Sequence, residues 1–184
     1  QTYGFTYDDI NIIGLTGTYH DHETSRKLSV NSGGLVIEKD AIGDFKLGTL
    51  FNEQEIEKKY DFYYSDVIGE YMISMPDIKK TYFEIKTIKN VIKQIRLNEM
   101  IVKTKEGHGI GDKVTLLKSK LKITSMMYIP ENKEIFIQAK EYPNMWFVTA
   151  INNENKINNE TNEVDASSIS FDQVIHSVII YDKN

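Results

Sequence analysis

Ile110-Gly111-Asp112-Lys113-Val114-Thr115-Leu116-Leu117-Lys118-Ser119-Lys120-Leu121 decides how the rest of the chain is read. Val114, Leu117 and Leu121 recur at spacings of three and four, which aligns apolar side chains on one stripe of a helix. A helix is therefore expected over residues 113–121, entered through a glycine turn. The same layout stands earlier in the chain. Leu47-Gly48 precedes a second expected helix over residues 51–60, with Asn52 as its cap and Glu53, Glu55 and Glu57 near its positive end. Phe51 follows Gly48 at the distance at which Val114 follows Gly111.

Working outward, further landmarks recur in the same order. Met75-Pro76-Asp77 answers Tyr142-Pro143-Asn144, and the pair Tyr82-Phe83 answers Trp146-Phe147. Asn90-Val91-Ile92-Lys93-Gln94-Ile95 answers Gln173-Val174-Ile175-His176-Ser177-Val178. Between them lie short, partly alternating runs rich in Ile, Val and aromatics, such as Leu35-Val36-Ile37, Ile135-Phe136-Ile137 and residues 174–181, which read as strands. The expected fold class is α+β: two tandem helix-plus-antiparallel-sheet repeats, β-rich, with an added N-terminal hairpin. The boundaries are residues 1–34 for the extension, 35–102 for the first repeat and 103–184 for the second, together one compact domain. The Asn-rich stretch 152–168 has no apolar period and reads as a long loop or mobile hairpin tip. Its sequon, Asn159-Glu160-Thr161, is a triplet that such composition produces by chance.

The 184 residues are 40% hydrophobic and 27% charged, enough for a real core and unlike a disordered chain. With 27 acidic against 22 basic residues and no basic stripe, a nucleic-acid partner is not expected. The absence of cysteine removes disulfides and thiolate chemistry. No apolar run reaches the roughly 18 residues of a membrane helix. The chain begins at Gln1, and removal of a signal peptide is the expectation drawn from that, hence a secreted or periplasmic location.

Ile42-Gly43-Asp44-Phe45-Lys46-Leu47-Gly48 and Lys103-Thr104-Lys105-Glu106-Gly107-His108-Gly109-Ile110-Gly111 resemble signatures of uncharacterised secreted bacterial proteins, in which a Thr-x-x-Gly-Ile-x-x-Gly turn feeds a short helix and a meander. The layout of residues 35–184 also resembles the beta-lactamase inhibitory protein and the SmpA/OmlA outer-membrane lipoproteins. The Leu-Gly-x-Pro turn of the SmpA group is missing after both helices. The resemblance implies a helical segment packed on an antiparallel sheet and names no activity.

Candidate sites are few. His20 and His22 in His20-Asp21-His22-Glu23 would share one face of a strand and are the candidate metal pair, with Glu23 at the margin; the plain alternative is a solvated hairpin tip. No cofactor is expected. The glycines of Glu106-Gly107-His108-Gly109-Ile110-Gly111-Asp112 could admit an anion at a helix start, but the stretch lacks the Lys-Ser/Thr of a P-loop. A tight turn needing positive φ is the favoured reading. Asp112 is the nearby carboxylate that would orient His108. His176, in phase with Val174 and Val178, reads as a satisfied half-buried histidine. Strand alternation puts Phe83 and Ile85 on one face and Tyr82 on the other, with Trp146 repeating the arrangement. Tyr82 and Trp146 are therefore the candidate partner-binding residues, since exposed Tyr and Trp favour recognition.

These readings give a non-enzymatic, extracytoplasmic protein that holds another protein on a sheet face. The alternative is a β-barrel-like binder of a small apolar ligand, suggested by residues 14–19, which resemble the opening strand of lipocalins. The third reading is a metal-dependent hydrolase at His20 and His22.

Overall fold

The computed structural model describes residues 35–75, 78–98 and 102–183, so the expected N-terminal hairpin and the pair His20 and His22 lie outside the described residues. The chain is mostly antiparallel sheet with short helices, a β-rich α+β fold. A two-stranded ladder, β1 (Ala41–Ile42) with β2 (Phe45–Lys46), comes first. Then α1 (Glu53–Ile56) leads into β3 (Asp61–Ser65), β4 (Glu70–Met75), β5 (Ile78–Ile88) and β6 (Val91–Asn98). Next α2 (Val114–Lys120) leads into β7 (Ile123–Ile129), β8 (Glu134–Ala139), β9 (Tyr142–Ala150) and β10 (Ile175–Tyr181).

Each helix is thus followed by a four-stranded meander, and the two meanders join by their last strands. The sheet runs β3-β4-β5-β6-β10-β9-β8-β7, with every adjacent pair antiparallel. Both helices are shorter than their sequence patterns. In α1, Asn52 caps as expected, its side chain accepting from the Glu55 N–H at 3.4 Å. In α2, Val114 and Leu117 are buried.

The turns ahead of the helices are clamped to the last strand of each meander by matching backbone bonds. The Gly48 N–H donates to the Ile92 carbonyl at 2.8 Å, and the Gly111 N–H to Ile175 at 2.7 Å. Ile92 returns a bond to Thr49 at 2.9 Å, and Ile175 to Asp112 at 2.8 Å. Phe51 bonds the Asn90 carbonyl and Val114 the Gln173 carbonyl, both at 2.9 Å. Gly48 and Gly111, Phe51 and Val114, and Ile92 and Ile175 stand at landmarks matched in the sequence.

One face of the sheet carries the core. Ile73, Phe83, Leu97, Val178, Phe147 and Ile137 line up across the strands on it, all fully buried. The helices and β1–β2 cover this face. Phe45 meets Phe83 at 4.8 Å between ring centroids, and Phe51 stacks on Tyr71 at 4.1 Å. At about 25 cal/mol per Å² of apolar surface, burying such rings is the main favourable contribution to folding.

The stretch 152–168 is an organised loop rather than a bare hairpin tip. The Asn155 side chain accepts from the Asn152 N–H at 2.8 Å and donates to Ser168 and Gln173 at 3.0 Å each. The loop then bonds the edge strand β7, from Tyr128 to Asn162 at 2.8 Å and from Val164 to Met126 at 2.9 Å. A run without apolar period is held here by Asx side chains, which bond neighbouring backbone as a strand would.

Candidate functional site: the sheet face opposite the core

Strand alternation sends a second set of side chains to the face opposite the core. There Glu84, Arg96, Ile179 and Trp146 follow one another across β5, β6, β10 and β9. They line a groove of about 580 Å³ together with Glu70, Lys86, Gln94, Phe136 and Tyr181. The groove also takes in Ile68, from the β3–β4 turn, and Asn132, from the β7–β8 turn. Those turns belong to opposite ends of the sheet, so the face is concave.

Two chemistries meet in it. On the side of β8–β9–β10, Phe136, Trp146 and Tyr181 form an aromatic shelf. Trp146 stacks toward Tyr181 at 6.4 Å with 20° between the planes, and Phe136 tilts against Trp146 at 6.0 Å. Gln138 fixes the far end by donating to the Tyr181 hydroxyl at 2.9 Å. On the side of β4–β5–β6 lies a lattice of charges. The Arg96 guanidinium bonds Glu134, donates to Asn98 at 2.8 Å and lies 3.8 Å from Glu84. Asn98 in turn donates to Glu84 at 2.7 Å. Lys93 pairs with Asp182 at 2.6 Å.

Trp146 falls where alternation puts it, half-buried on the shelf. Tyr82 does not. It is only 1% exposed and packs in the core, a correction to the expected aromatic pair. Ile73 pairs with Phe83 and Ser74 with Thr81, so Tyr82 is the extra residue of a β-bulge. A bulge breaks the two-residue period, and Tyr82 joins Phe83 on the covered side. Burial raises its hydroxyl pKa.

A second bulge displaces His176. Ile175 pairs with Thr149 and Ser177 with Val148, which leaves His176 as the extra residue. It leaves the phase of the fully buried Val178 and comes within 3.5 Å of Glu134, extending the charge lattice. Burial holds its pKa below the usual imidazole range, with Glu134 opposing and Arg96 reinforcing the shift.

The glycine-rich stretch 104–112 has the strained geometry expected of it: Gly107, Gly109 and Gly111 have φ of 86°, 155° and 90°. Asp112 does not serve His108. Its carboxylate accepts from the Gly109 N–H at 2.8 Å and pairs with Lys103 at 2.5 Å. Tyr142 is the ring beside His108, 6.3 Å away between centroids, and its hydroxyl donates to Glu106 at 2.9 Å.

Sequence reasoning missed Glu70, Glu84, Arg96 and Phe136. Single charges inside strand runs look like ordinary solvated positions, and only the register gathers them. The one legible signal was alternation in Glu84-Ile85-Lys86 and Gln94-Ile95-Arg96, which marks one polar face on adjacent strands.

No family profile matches this chain, and no curated protein matches it. Among solved structures it is similar to the uncharacterized protein yfeY from Escherichia coli, with a TM-score of 0.58 at 11% identity. That likeness covers 80% of this chain and 99% of the other. At such identity it describes a shared fold, antiparallel sheet with few helices.

Proposed function

We propose that this chain is a non-enzymatic, extracytoplasmic binding protein that holds another protein in the concave face of its sheet. The observation that carries the reading is one-sided coverage among the described residues: both helices and β1–β2 pack on the core face, while Phe136, Trp146 and Tyr181 face a groove. Half-buried aromatic side chains beside a rim of polar groups are the composition of interface hot spots. The alternative, an apolar-ligand barrel, is less well supported. Among the described residues the sheet ends at β3 and β7 without closing, and the groove carries Glu70, Glu84, Lys86, Lys93, Arg96 and Asp182, unlike a predominantly apolar ligand pocket.

The proposal includes a tandem origin for the sheet, with residues 35–102 and 103–184 as two copies of one helix-plus-meander unit. The matched bonds of Gly48 and Gly111, Thr49 and Asp112, and Phe51 and Val114 support it. A helical segment packed on an antiparallel sheet is also what the sequence's resemblance to the beta-lactamase inhibitory protein implies.

The test is a photo-crosslinking amino acid placed at Trp146, and separately at Leu116, which is 45% exposed on α2. Expressed in the source cell, the first variant should trap one protein and the second should not. Equal trapping from both positions, or none from Trp146, defeats the reading.

A further inference from the structure

We propose that the groove receives a basic side chain of the partner protein, with Glu70 as its counter-charge. The inference rests on the protein-binding reading and specifies the chemistry of what is bound.

Apart from the exposed Lys86, the groove's other charges are matched internally, Lys93 with Asp182 and Arg96 with Glu134 and Glu84. Glu70 is the exception. Its side chain lines the groove, the residue is 8% exposed, and among the described residues it accepts no hydrogen bond and closes no ion pair. Burial and the neighbouring Glu84 carboxylate both raise its pKa, against Lys86 and Arg96. Partial burial beside a second carboxylate makes the charged form of Glu70 costlier to hold, and an incoming ammonium or guanidinium relieves that.

The surroundings suit a long basic side chain. Met72 follows Glu70 two positions along β4 on the same face, and Ile68 lies at the groove beside it. Lys and Arg cover such apolar surface with their methylene stems while the charged head finds its acceptor. The net charge of −5 draws basic segments toward the molecule. Lys86 is the internal competitor. The antiparallel register of Tyr71 with Ile85 sets it opposite Glu70, yet it is exposed and forms no ion pair with that carboxylate.

The test is calorimetric titration of the full chain with trilysine amide, with triglutamate as the opposite-charge probe. Wild type should bind trilysine saturably and triglutamate not at all. Glu70→Gln should weaken trilysine by about tenfold or more, the direction expected when a buried charge loses its partner. It should not lower Tm, because the amide carries no charge to desolvate. Lys86→Met should tighten binding by removing the competing ammonium. Glu57→Gln, at an exposed position of similar charge outside the groove, should leave the affinity unchanged. Absence of trilysine binding, equal affinity in Glu70→Gln, or an equal loss in Glu57→Gln overturns the inference. A partner trapped at Trp146 together with silent trilysine would remove this inference alone and leave protein docking standing.

Discussion

Neighbouring aromatic residues divide sharply in role. Phe83, Phe147 and Tyr82 are buried to 1% exposure or less, whereas Trp146, adjacent to Phe147, faces the groove. Tyr82→Ala, Phe83→Ala and Phe147→Ala should each lose roughly 3–5 kcal/mol in denaturant unfolding, the usual consequence of removing a buried ring. Trp146→Ala should lose clearly less, since half-burial leaves less area to re-expose. A Tyr82→Ala protein as stable as wild type would contradict the bulge that turns the ring inward. Gly109 is equally decisive for backbone reasons. A Cβ there would stand 2.4 Å from the Val102 carbonyl oxygen, at a φ of 155°. Gly109→Ala should therefore destabilise by more than about 1 kcal/mol, while relieving no strain elsewhere.

At the scale of elements, the bulges and the Asn-rich loop shape the sheet. The bulge in β10 brings His176 beside Glu134, where burial disfavours the protonated imidazole. With a folded pKa below the ordinary imidazole value of 6.5, the unfolded chain binds more protons in the window just below that value. Stability should then fall as pH drops from about 6.5 through the folded pKa, and His176→Gln should flatten that slope in Tm against pH. Asn155 plays the comparable part in the loop, and Asn155→Ala removes its bonds to Asn152, Ser168 and Gln173. The expected loss is about 1–3 kcal/mol. Hydrogen exchange should quicken at the Tyr128 and Val164 amides, whose partners lie across the loop–β7 contact. Unchanged protection at both would mean that the loop is held by something other than its asparagines.

Across the whole molecule, the two meanders share one core and one charge lattice. The β6–β10 junction pairs residues 94–98 with residues 177–181, and buried side chains from both meanders form a single cluster. Unfolding should be one cooperative transition, seen alike by calorimetry and by fluorescence of the single tryptophan, Trp146. Arg96 spans the junction, with side-chain exposure of 12%, to reach Glu134, also 12% exposed. Arg96→Met takes the shared cation from Glu134 and Glu84 and should cost about 3 kcal/mol, the low end for breaking a buried pair. The double change Arg96→Met with Glu134→Leu should recover much of that loss. A variant that unfolds in two separated steps would show that the halves are independent units.

What the sequence determined by itself was local. Apolar spacing placed the second helix, the Asn52 cap and its following glutamates placed the first, and Gly48 and Gly111 marked the turns that bond to β6 and β10. Alternation also sent Phe83 and Phe147 inward and Trp146 outward, because neighbours on a strand point to opposite faces wherever the ladder is regular. It failed at Tyr82 and His176, since a bulge inserts one residue and its position depends on the partner strand's register. The tertiary structure alone decided the groove. Glu70, Arg96, Glu134 and Trp146 lie on four strands, and their meeting follows from strand order and curvature, long-range pairings that no local pattern encodes.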